Sequence, residues 1–392
     1  MPSTSTVTKY LAQSNAKSPI SEPFFNFLLF LSVYQKIFGH IDVKSAYLDG
    51  VKIVPPFAEL TYEAQLARLT AAAQTALRAY DLADAALRPI LYVNNAVFEV
   101  ISPAGSRFAL RLHRPGHKSA EIIQSELVWL QAITAHTPLC VPRPVPTTTG
   151  DLFTAVPVEG LDSPVICALL SWIDGNPYDT DTVPLPLIQQ AGSFLAQLHN
   201  FSQDFTPPPG FTRPRMDWSG LQAAYDPGSG ISLFTDDHLA LFARIGEQVK
   251  AVMDSLGQSR DQFGLIHADL IMKNMLFRGD EVCAIDFDDC AFGYYLYDLA
   301  PLLLQLKDEP RYADLQTAFW QGYTTFRPQP ESHLAYLETF IAARHLASCY
   351  WIAGNLHNPR IRERAPAIIA HRTAELARFL ETGSINQRGE HF

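Results

Sequence analysis

The chain has 392 residues, 47% of them hydrophobic and 18% charged, with a formal net charge of −10 and a pI near 5.6. This is the make-up of a globular protein with core for about two to three domains, and its acidity argues against nucleic acid or an anionic membrane as the main partner. The five cysteines, Cys140, Cys167, Cys283, Cys290 and Cys349, are scattered without a C-x-x-C pair, which reads as buried free thiols in a reducing, cytoplasmic setting, with neither a disulfide framework nor a zinc site.

Residues 1–54 stand apart as an N-terminal extension without an assigned role. They start Ser/Thr-rich and carry one apolar stretch, FFNFLLFLSVY (24–34). That stretch is too short to span a bilayer, and it lacks the basic lead and small-residue cleavage site of a signal peptide. Pro55-Pro56 marks a boundary. Residues 60–80 carry apolar side chains at helical spacing and are alanine-rich, which predicts an amphipathic helix. AVFEVIS (96–102) and RFALRLH (107–113) then read as strands joined through PAGS. In the second strand Phe108, Leu110 and Leu112 share one face, and Ala109, Arg111 and His113 share the other. Ser119 can cap a helix from Ala120 to about Ala135, with Glu121 in its first turn. Prolines 142, 144 and 146 interrupt the chain, and VICALLSWIDG (165–175) reads as a buried strand leading into a turn at Gly175. The remainder is expected to be mainly helical, over 187–201, 237–256, 296–306, 333–354 and 364–381, with one hairpin around Gly279. The expected layout is α+β: a strand-rich small lobe over 55–172, a helical large lobe over 173–383, a tail over 384–392, and a ligand cleft between the lobes.

The densest polar signal lies in HADLIMKNMLFRGDEVCAIDFDD (267–289). Strands 275–278 and 281–287 flank the two-residue turn Gly279-Asp280. With Arg278 facing Glu281, Asn274 falls opposite Ile285, so Asn274 and Asp286 lie at the same open end of the hairpin. Asp269 sits in the loop that enters it. Three oxygen-bearing side chains converge there among apolar walls, and hard oxygen ligands of this kind suit Mg²⁺ shared with phosphate oxygens.

These residues carry a resemblance. H-x-D-x-x-x-x-N followed by I-D-F-D-D resembles the aminoglycoside phosphotransferase/choline kinase family. FALRLHRPG, SELVWLQAI and IDFDDCAFGYYLYDLA resemble its branch with homoserine kinase type II and the bacterial stress-response Ser/Thr kinase. The likeness covers about residues 57–380, with the motifs in the family's order. It implies a bilobal protein-kinase-like fold with an antiparallel-sheet N-lobe, and ATP with Mg²⁺ as cofactors. It implies Asp269 as the catalytic acid that orients the acceptor hydroxyl, and Asn274 and Asp286 as metal ligands. Arg111 takes the phosphate-binding lysine position and Glu126 pairs with it. Asn94 and Asn95 lie in the segment covering the phosphates, and Trp172 lies in the hinge that meets the adenine. His267 is expected to brace the loop, Asp298 to anchor a helix start or backbone, and Tyr294, Tyr295 and Tyr297 to pack. The chain departs from the pattern in three places: arginine replaces lysine at 111, LIMKN replaces the His-Pro-Gly form of the catalytic loop, and YVNNAV has no glycine.

The functional reading is an ATP-dependent phosphotransferase acting on a hydroxyl of a small, aminated molecule. The amine follows from the carboxylates expected along the cleft: Asp174, Asp179 and Asp181 after the hinge, Asp288 and Asp289 beside the metal. Turn residues would account for the same aspartates. A Ser/Thr protein kinase of the stress-response type and a nucleotide-binding pseudokinase are the alternatives, and no oligomeric state is assigned.

Overall fold

The computed structural model describes residues 47–48, 51–52, 55–92, 95–224, 227–356 and 358–386. The chain divides into two compact units, Met1–Pro55 and Pro56–Phe392. In the first, β1 (Tyr47–Leu48) and β2 (Val51–Lys52) pair antiparallel, with Tyr47 opposite Lys52. The apolar stretch 24–34 lies outside the described residues.

The second unit has the kinase-like α+β architecture. Its small lobe is an antiparallel sheet of β3 (Ala86–Tyr92), β4 (Ala96–Ile101), β5 (Arg107–Leu112), β6 (Pro144–Val145), β7 (Thr154–Val156) and β8 (Val165–Ser171). The order is β3-β4-β5-β8-β6, with β7 also on β8. The β4–β5 turn closes through Gly105, whose φ of 87° suits glycine. One face, including Phe98, Val100, Leu110, Leu112 and Leu169, packs on helix α1 (Tyr62–Leu77) through Leu69, Ala73 and Leu77. Each fully buried leucine there contributes about 1.5–3 kcal/mol. Strict alternation sends Arg111 and His113 to the opposite face, where helix α2 (Ala120–His136) lies. Ser119 Oγ accepts from Ile122 N at 3.4 Å and caps α2 as expected.

The large lobe is built on α3 (Leu185–Asp204), α4 (Trp218–Ala224), α5 (Asp236–Leu256), α6 (Tyr295–Leu306), α7 (Tyr312–Phe326), α8 (His333–Gly354) and α9 (Pro359–Thr382). Helices α3 and α7 cross at glycines. A Cβ on Gly192 would lie 2.0 Å from Phe319 O, and one on Gly322 would lie 1.9 Å from Gln189 O, so only glycine permits this approach. Strands β9 (Arg215–Met216), β10 (Phe263–Ile266) and β13 (Ala291–Tyr294) form a second sheet, and β11 (Met275–Arg278) pairs with β12 (Glu281–Ala284). The hairpin register is the expected one: Arg278 faces Glu281, and Ile285 N donates to Asn274 O at 2.9 Å. The second strand ends at Ala284, short of the predicted 287, because Asp286 turns left-handed at φ 64°. Among the described residues no helix is long and apolar enough to cross a membrane.

Several elements exceed the sequence expectation. Strand β3 carries Pro89 and lies at the sheet edge, where a missing N–H is tolerated. Helix α7 and strands β6, β7, β9, β10 and β13 complete sheets and packing that local patterns did not mark. Ser384, Ile385 and Asn386, placed in the tail by sequence, are buried. The cysteine reading is also corrected. Cys140 and Cys283, separated by 143 positions, face each other across a β-bridge with Cα atoms 4.5 Å apart and form a disulfide. Cys167, Cys290 and Cys349 are free and buried, as expected.

Candidate active site

The loop from Ile266 to Met275 is fixed from beneath by Asp298, in the first turn of α6. Asp298 Oδ2 accepts from His267 N at 2.8 Å, and Oδ1 accepts from Ala268 N at 2.6 Å. His199 Nε2 meets Oδ2 at 2.9 Å, and His199 Nδ1 meets Tyr323 OH at 2.9 Å. All of these side chains are buried. Burial pushes the Asp298 carboxyl up, but the hydrogen bond and charge of His199 and the His267 backbone outweigh it and hold the group below its ordinary range. Two N–H donors on one ionised carboxylate sustain Ala268 at φ 69°, a left-handed conformation costly for a residue with a Cβ. Asp298 is thus the backbone anchor expected from sequence. Tyr294, Tyr295 and Tyr297 are buried packing residues, with the Arg327 guanidinium 4.4 Å above the Tyr295 ring.

His267 has a defined tautomer. Asp269 N donates to Nδ1 at 3.3 Å, so the ring proton sits on Nε2 and is donated to Ile285 O at 3.1 Å. The imidazole therefore ties the Asp269 loop to the segment that enters Asp286. Met272 N donates to Gln305 Oε1 at 2.8 Å and fixes the far side of the loop. The Asn274 amide nitrogen donates to Asp269 O at 2.8 Å and Asp269 Oδ2 at 3.2 Å, so its oxygen is the atom left to serve a metal.

Asp269 is 16% exposed and ion-paired with Arg344 from α8. Burial pushes its carboxyl up, and the Arg344 charge offsets this only in part. A partly exposed carboxylate of raised basicity can accept a hydroxyl proton. Asp286 is 50% exposed, with Arg111 Nη1 3.8 Å from its Oδ1. Desolvation raises its carboxyl, Arg111 lowers it, and Asp288 and Asp289 add to the rise. A divalent cation would relieve that crowding of like charge, so Asn274 and Asp286 fit Mg²⁺.

Over this floor, Arg111 of β5 donates through Nη2 to Glu126 Oε1 at 2.5 Å, and its Nη1 lies 3.8 Å from Asp286 Oδ1. Arg111 Nε and Glu126 Oε2 are buried and find no hydrogen-bond partner among the described residues. Such a buried guanidinium, with donor capacity beside Asp286, fits a metal-bound phosphate. Asn95 donates from Nδ2 to Asp288 Oδ2 at 3.2 Å and accepts from Arg114 N at 3.0 Å, which joins the small lobe to the large one. Asn94 lies outside the described residues. Trp172 follows β8 directly; its Nε1 donates to Asp174 Oδ1 at 3.0 Å, and the Arg107 guanidinium lies 4.1 Å over its ring.

Of the five aspartates expected to line an acidic cleft, Asp174, Asp288 and Asp289 are ion-paired. Lys118 Nζ lies 2.7 Å from Asp288 Oδ2 and 2.9 Å from Asp289 Oδ1. Arg107 pairs with Asp174 at 2.7 Å, and Arg213 Nη2 donates to the backbone carbonyl of Asp288 at 2.6 Å, which fixes the position of that residue. Asp179 and Asp181 are exposed and use their backbone carbonyls in a turn, accepting from Thr182 N at 3.2 Å and from Arg311 at 3.2 Å. Sequence reasoning also missed Lys118, Arg213, Gln305 and Arg344. The one usable signal was Arg344 itself, a charged residue inside the mainly apolar run FIAARHLASCY (340–350).

Known proteins resemble this chain in sequence and fold. The sequence model described as "Phosphotransferase enzyme family" matches residues 86–333. Amicoumacin kinase of Bacillus subtilis strain 168 is 23% identical over 293 residues, 71% of this chain and 82% of that protein. Homoserine kinase of Neisseria meningitidis serogroup B is 32% identical over 193 residues, 46% of this chain and 58% of that protein. Among solved structures, a microcompartment-associated aminopropanol kinase superposes with a TM-score of 0.70 at 29% identity, over 81% of this chain and 99% of that one. With a match over most of its length and the loop, hairpin and sheet in the family's order, the chain belongs to the phosphotransferase enzyme family, as an ATP- and Mg²⁺-dependent kinase with an alcohol group as acceptor.

Proposed function

We propose that the chain moves the γ-phosphoryl group of ATP to the hydroxyl of a small aminated alcohol. The observation that carries this reading is the meeting of Asp269, Asn274 and Asp286 at one hairpin end beneath the Arg111–Glu126 pair. Asp269 orients the acceptor hydroxyl and takes its proton, which its raised basicity favours. Asn274 and Asp286 hold the metal, which when bound neutralises charge on the phosphate oxygens. Arg111 supplies hydrogen bonds to those oxygens, and Glu126 positions it. Asn95 keeps the covering segment docked on Asp288, and the backbone after β8 near Trp172 meets the base. The aminated acceptor is supported by the relatives named for aminopropanol and homoserine, both aminated alcohols.

The test is ATP consumption by the purified protein with Mg²⁺ against ethanolamine, choline, homoserine, aminopropanols, aminoglycosides, neutral sugars and a generic protein substrate. Turnover is expected with an aminated alcohol. Asp286→Ala should abolish it, and Asp269→Asn should lower kcat on the order of a hundredfold or more with nucleotide affinity little changed. Preference for neutral sugars, or phosphate appearing on protein alone, would refute the acceptor; wild-type turnover in both variants would refute the assigned roles.

A further inference from the structure

The phosphotransfer reading makes no use of the covalent link between Cys140 and Cys283. Cys140 lies in the connection between α2 and β6, and Cys283 lies in β12, three residues before Asp286. The connection and the hairpin are also joined through the backbone, since Ala284 N donates to Cys140 O at 3.0 Å. Further contacts place this joint beside the hinge. Ser171 N donates to Arg143 O at 2.8 Å, and Arg143 N donates to Ser171 Oγ at 2.9 Å. On the other strand of the hairpin, Asn176 and Phe277 exchange both backbone hydrogen bonds at 2.9 Å. A Cβ on Gly175 would lie 2.9 Å from Leu276 Cβ, so the hinge backbone runs close against that strand. The hairpin is thus flanked by one segment before β6 and one after β8, and the disulfide adds a covalent tie to these hydrogen bonds.

Each end of the tie carries part of the site. Helix α2 holds Glu126, which meets Arg111, and β12 runs on to Asp286, whose Oδ1 lies 3.8 Å from Arg111 Nη1. Fixing Cys140 to Cys283 therefore holds the base of α2 and the Asp286 hairpin in one frame, with the Glu126–Arg111–Asp286 contacts inside it. The two sulfurs are unequal. Cys283 is fully buried and Cys140 is partly exposed, so attack from solvent falls on the Cys140 sulfur. Arg278 Nη2 stands 4.0 Å from Cys140 Sγ, and its charge favours a thiolate there. Glu281, bonded to the same Nη2 at 2.6 Å, offsets part of that charge. The remaining cysteines do not compete, because burial pushes the thiols of Cys167, Cys290 and Cys349 up to about 12.

We propose that Cys140 and Cys283 form a redox-active pair that exchanges with a small thiol of the glutathione class and sets the affinity of the cleft for Mg·ATP. In reduction, the small thiolate attacks Cys140 Sγ, the S–S bond breaks, and Cys283 leaves as a thiolate that takes a proton. A second small thiolate attacks the mixed disulfide, and Cys140 leaves and takes a proton in turn. The pair gains two electrons and two protons, and two small thiols become one disulfide; oxidation by that disulfide runs the same steps in reverse. The backbone contacts remain when the link is cut, so the fold persists while α2 and the hairpin gain freedom to shift.

The test equilibrates the full chain in buffers ranging from glutathione to glutathione disulfide and identifies free thiols by alkylation and peptide mass spectrometry. Cys140 and Cys283 should be blocked together under oxidation, alkylated together under reduction, and relinked when the oxidant is restored. Calorimetry should find Mg·ATP bound on the order of fivefold more weakly by the reduced protein, the low end of coupling between distinct sites. The melting temperature should fall by on the order of 5 °C, since the tie closes a long loop. Cys140→Ser should bind Mg·ATP like the reduced wild type in every buffer, and Cys283→Ala repeats the test from the other sulfur if the first variant folds poorly. A pair that stays linked in excess glutathione, or stays as free thiols in excess glutathione disulfide, overturns the exchange site. Reduction that lowers the melting temperature with Mg·ATP affinity unchanged overturns the coupling and leaves a structural cross-link. Thiol state and nucleotide affinity are read without an acceptor, so their outcome is separate from that of the amino-alcohol panel.

Discussion

The catalytic loop at 266–274 and the strand above it, β5, both bring polar groups to Asp286, but they are anchored by different forces. The loop is held by hydrogen bonds inside one lobe, from backbone N–H groups to the buried Asp298 and from His267 to Ile285 O. The small lobe reaches the site through charge across the cleft: Arg111 toward Asp286, Lys118 to Asp288 and Asp289, Asn95 to Asp288. The difference separates what must stay rigid from what must adapt. On the proposed roles, a base has to keep its place relative to an acceptor within fractions of an ångström, whereas a phosphate cover has to admit and release a charged ligand. Lys118 illustrates the second kind. Burial alone would lower its pKa, but Asp289 and Asp288 outweigh it and raise it.

The largest expected effect breaks the floor. Asp298→Ala leaves His199 and the N–H groups of His267 and Ala268 without their acceptor, and should destabilise the fold by about 3–5 kcal/mol, as for other broken buried pairs. Urea unfolding measures it. A loss under about 1 kcal/mol would show that the loop is braced elsewhere.

A smaller effect concerns the network that orients α8. Glu375, bonded to His345 and Lys307, has its carboxyl pushed up by burial, but these partners outweigh that and bring it down to about 2 from an ordinary 4.5. A depressed carboxyl stabilises the fold fully above its unfolded value and loses that contribution as pH falls from 4.5 toward 2. Glu375→Gln should therefore lower stability by about 2–3 kcal/mol at pH 7, and the gap to the wild type should narrow across that acid range. Thermal melts of both proteins from pH 7 to pH 3 would record it; a constant gap would mean that charge on Glu375 is not what holds α8.

The smallest effect sharpens the account of the roof. Arg111→Ala should weaken nucleotide binding more than Glu126→Ala, because the glutamate acts through the arginine. The double variant should fall short of the sum by about 1 kcal/mol. Calorimetric titration with Mg·ATP decides it, and strict additivity would mean that the two side chains work separately.

Local patterns made much of this legible. Alternation in RFALRLH separated Leu110 and Leu112 from Arg111, and Ser119 capped α2. The two-residue turn at Gly279-Asp280 set the register that brings Asn274 level with Ile285 and Asp286. Each follows from a short-range rule with period two, a cap or a turn. The elements that escaped have weak local signals: β3 carries Pro89, β6 and β9 are two residues long, and β13 exists through its pairing with β10.

By itself the sequence determined the α+β class, the hairpin and the order of Asp269, Asn274 and Asp286 along it, because backbone geometry links neighbours within a few residues to one another. Only the tertiary structure decided the partners of those groups. It joined Arg344 to Asp269 across 75 positions, Cys140 to Cys283 across 143, and Asn95 to Asp288 across 193. It also ion-paired Asp174, Asp288 and Asp289, three of the five aspartates that sequence reading placed along an acidic cleft. Charge is cancelled by whatever lies nearby in space, and in this protein the cancelling Lys118 and Arg107 come from distant segments that packing brings together.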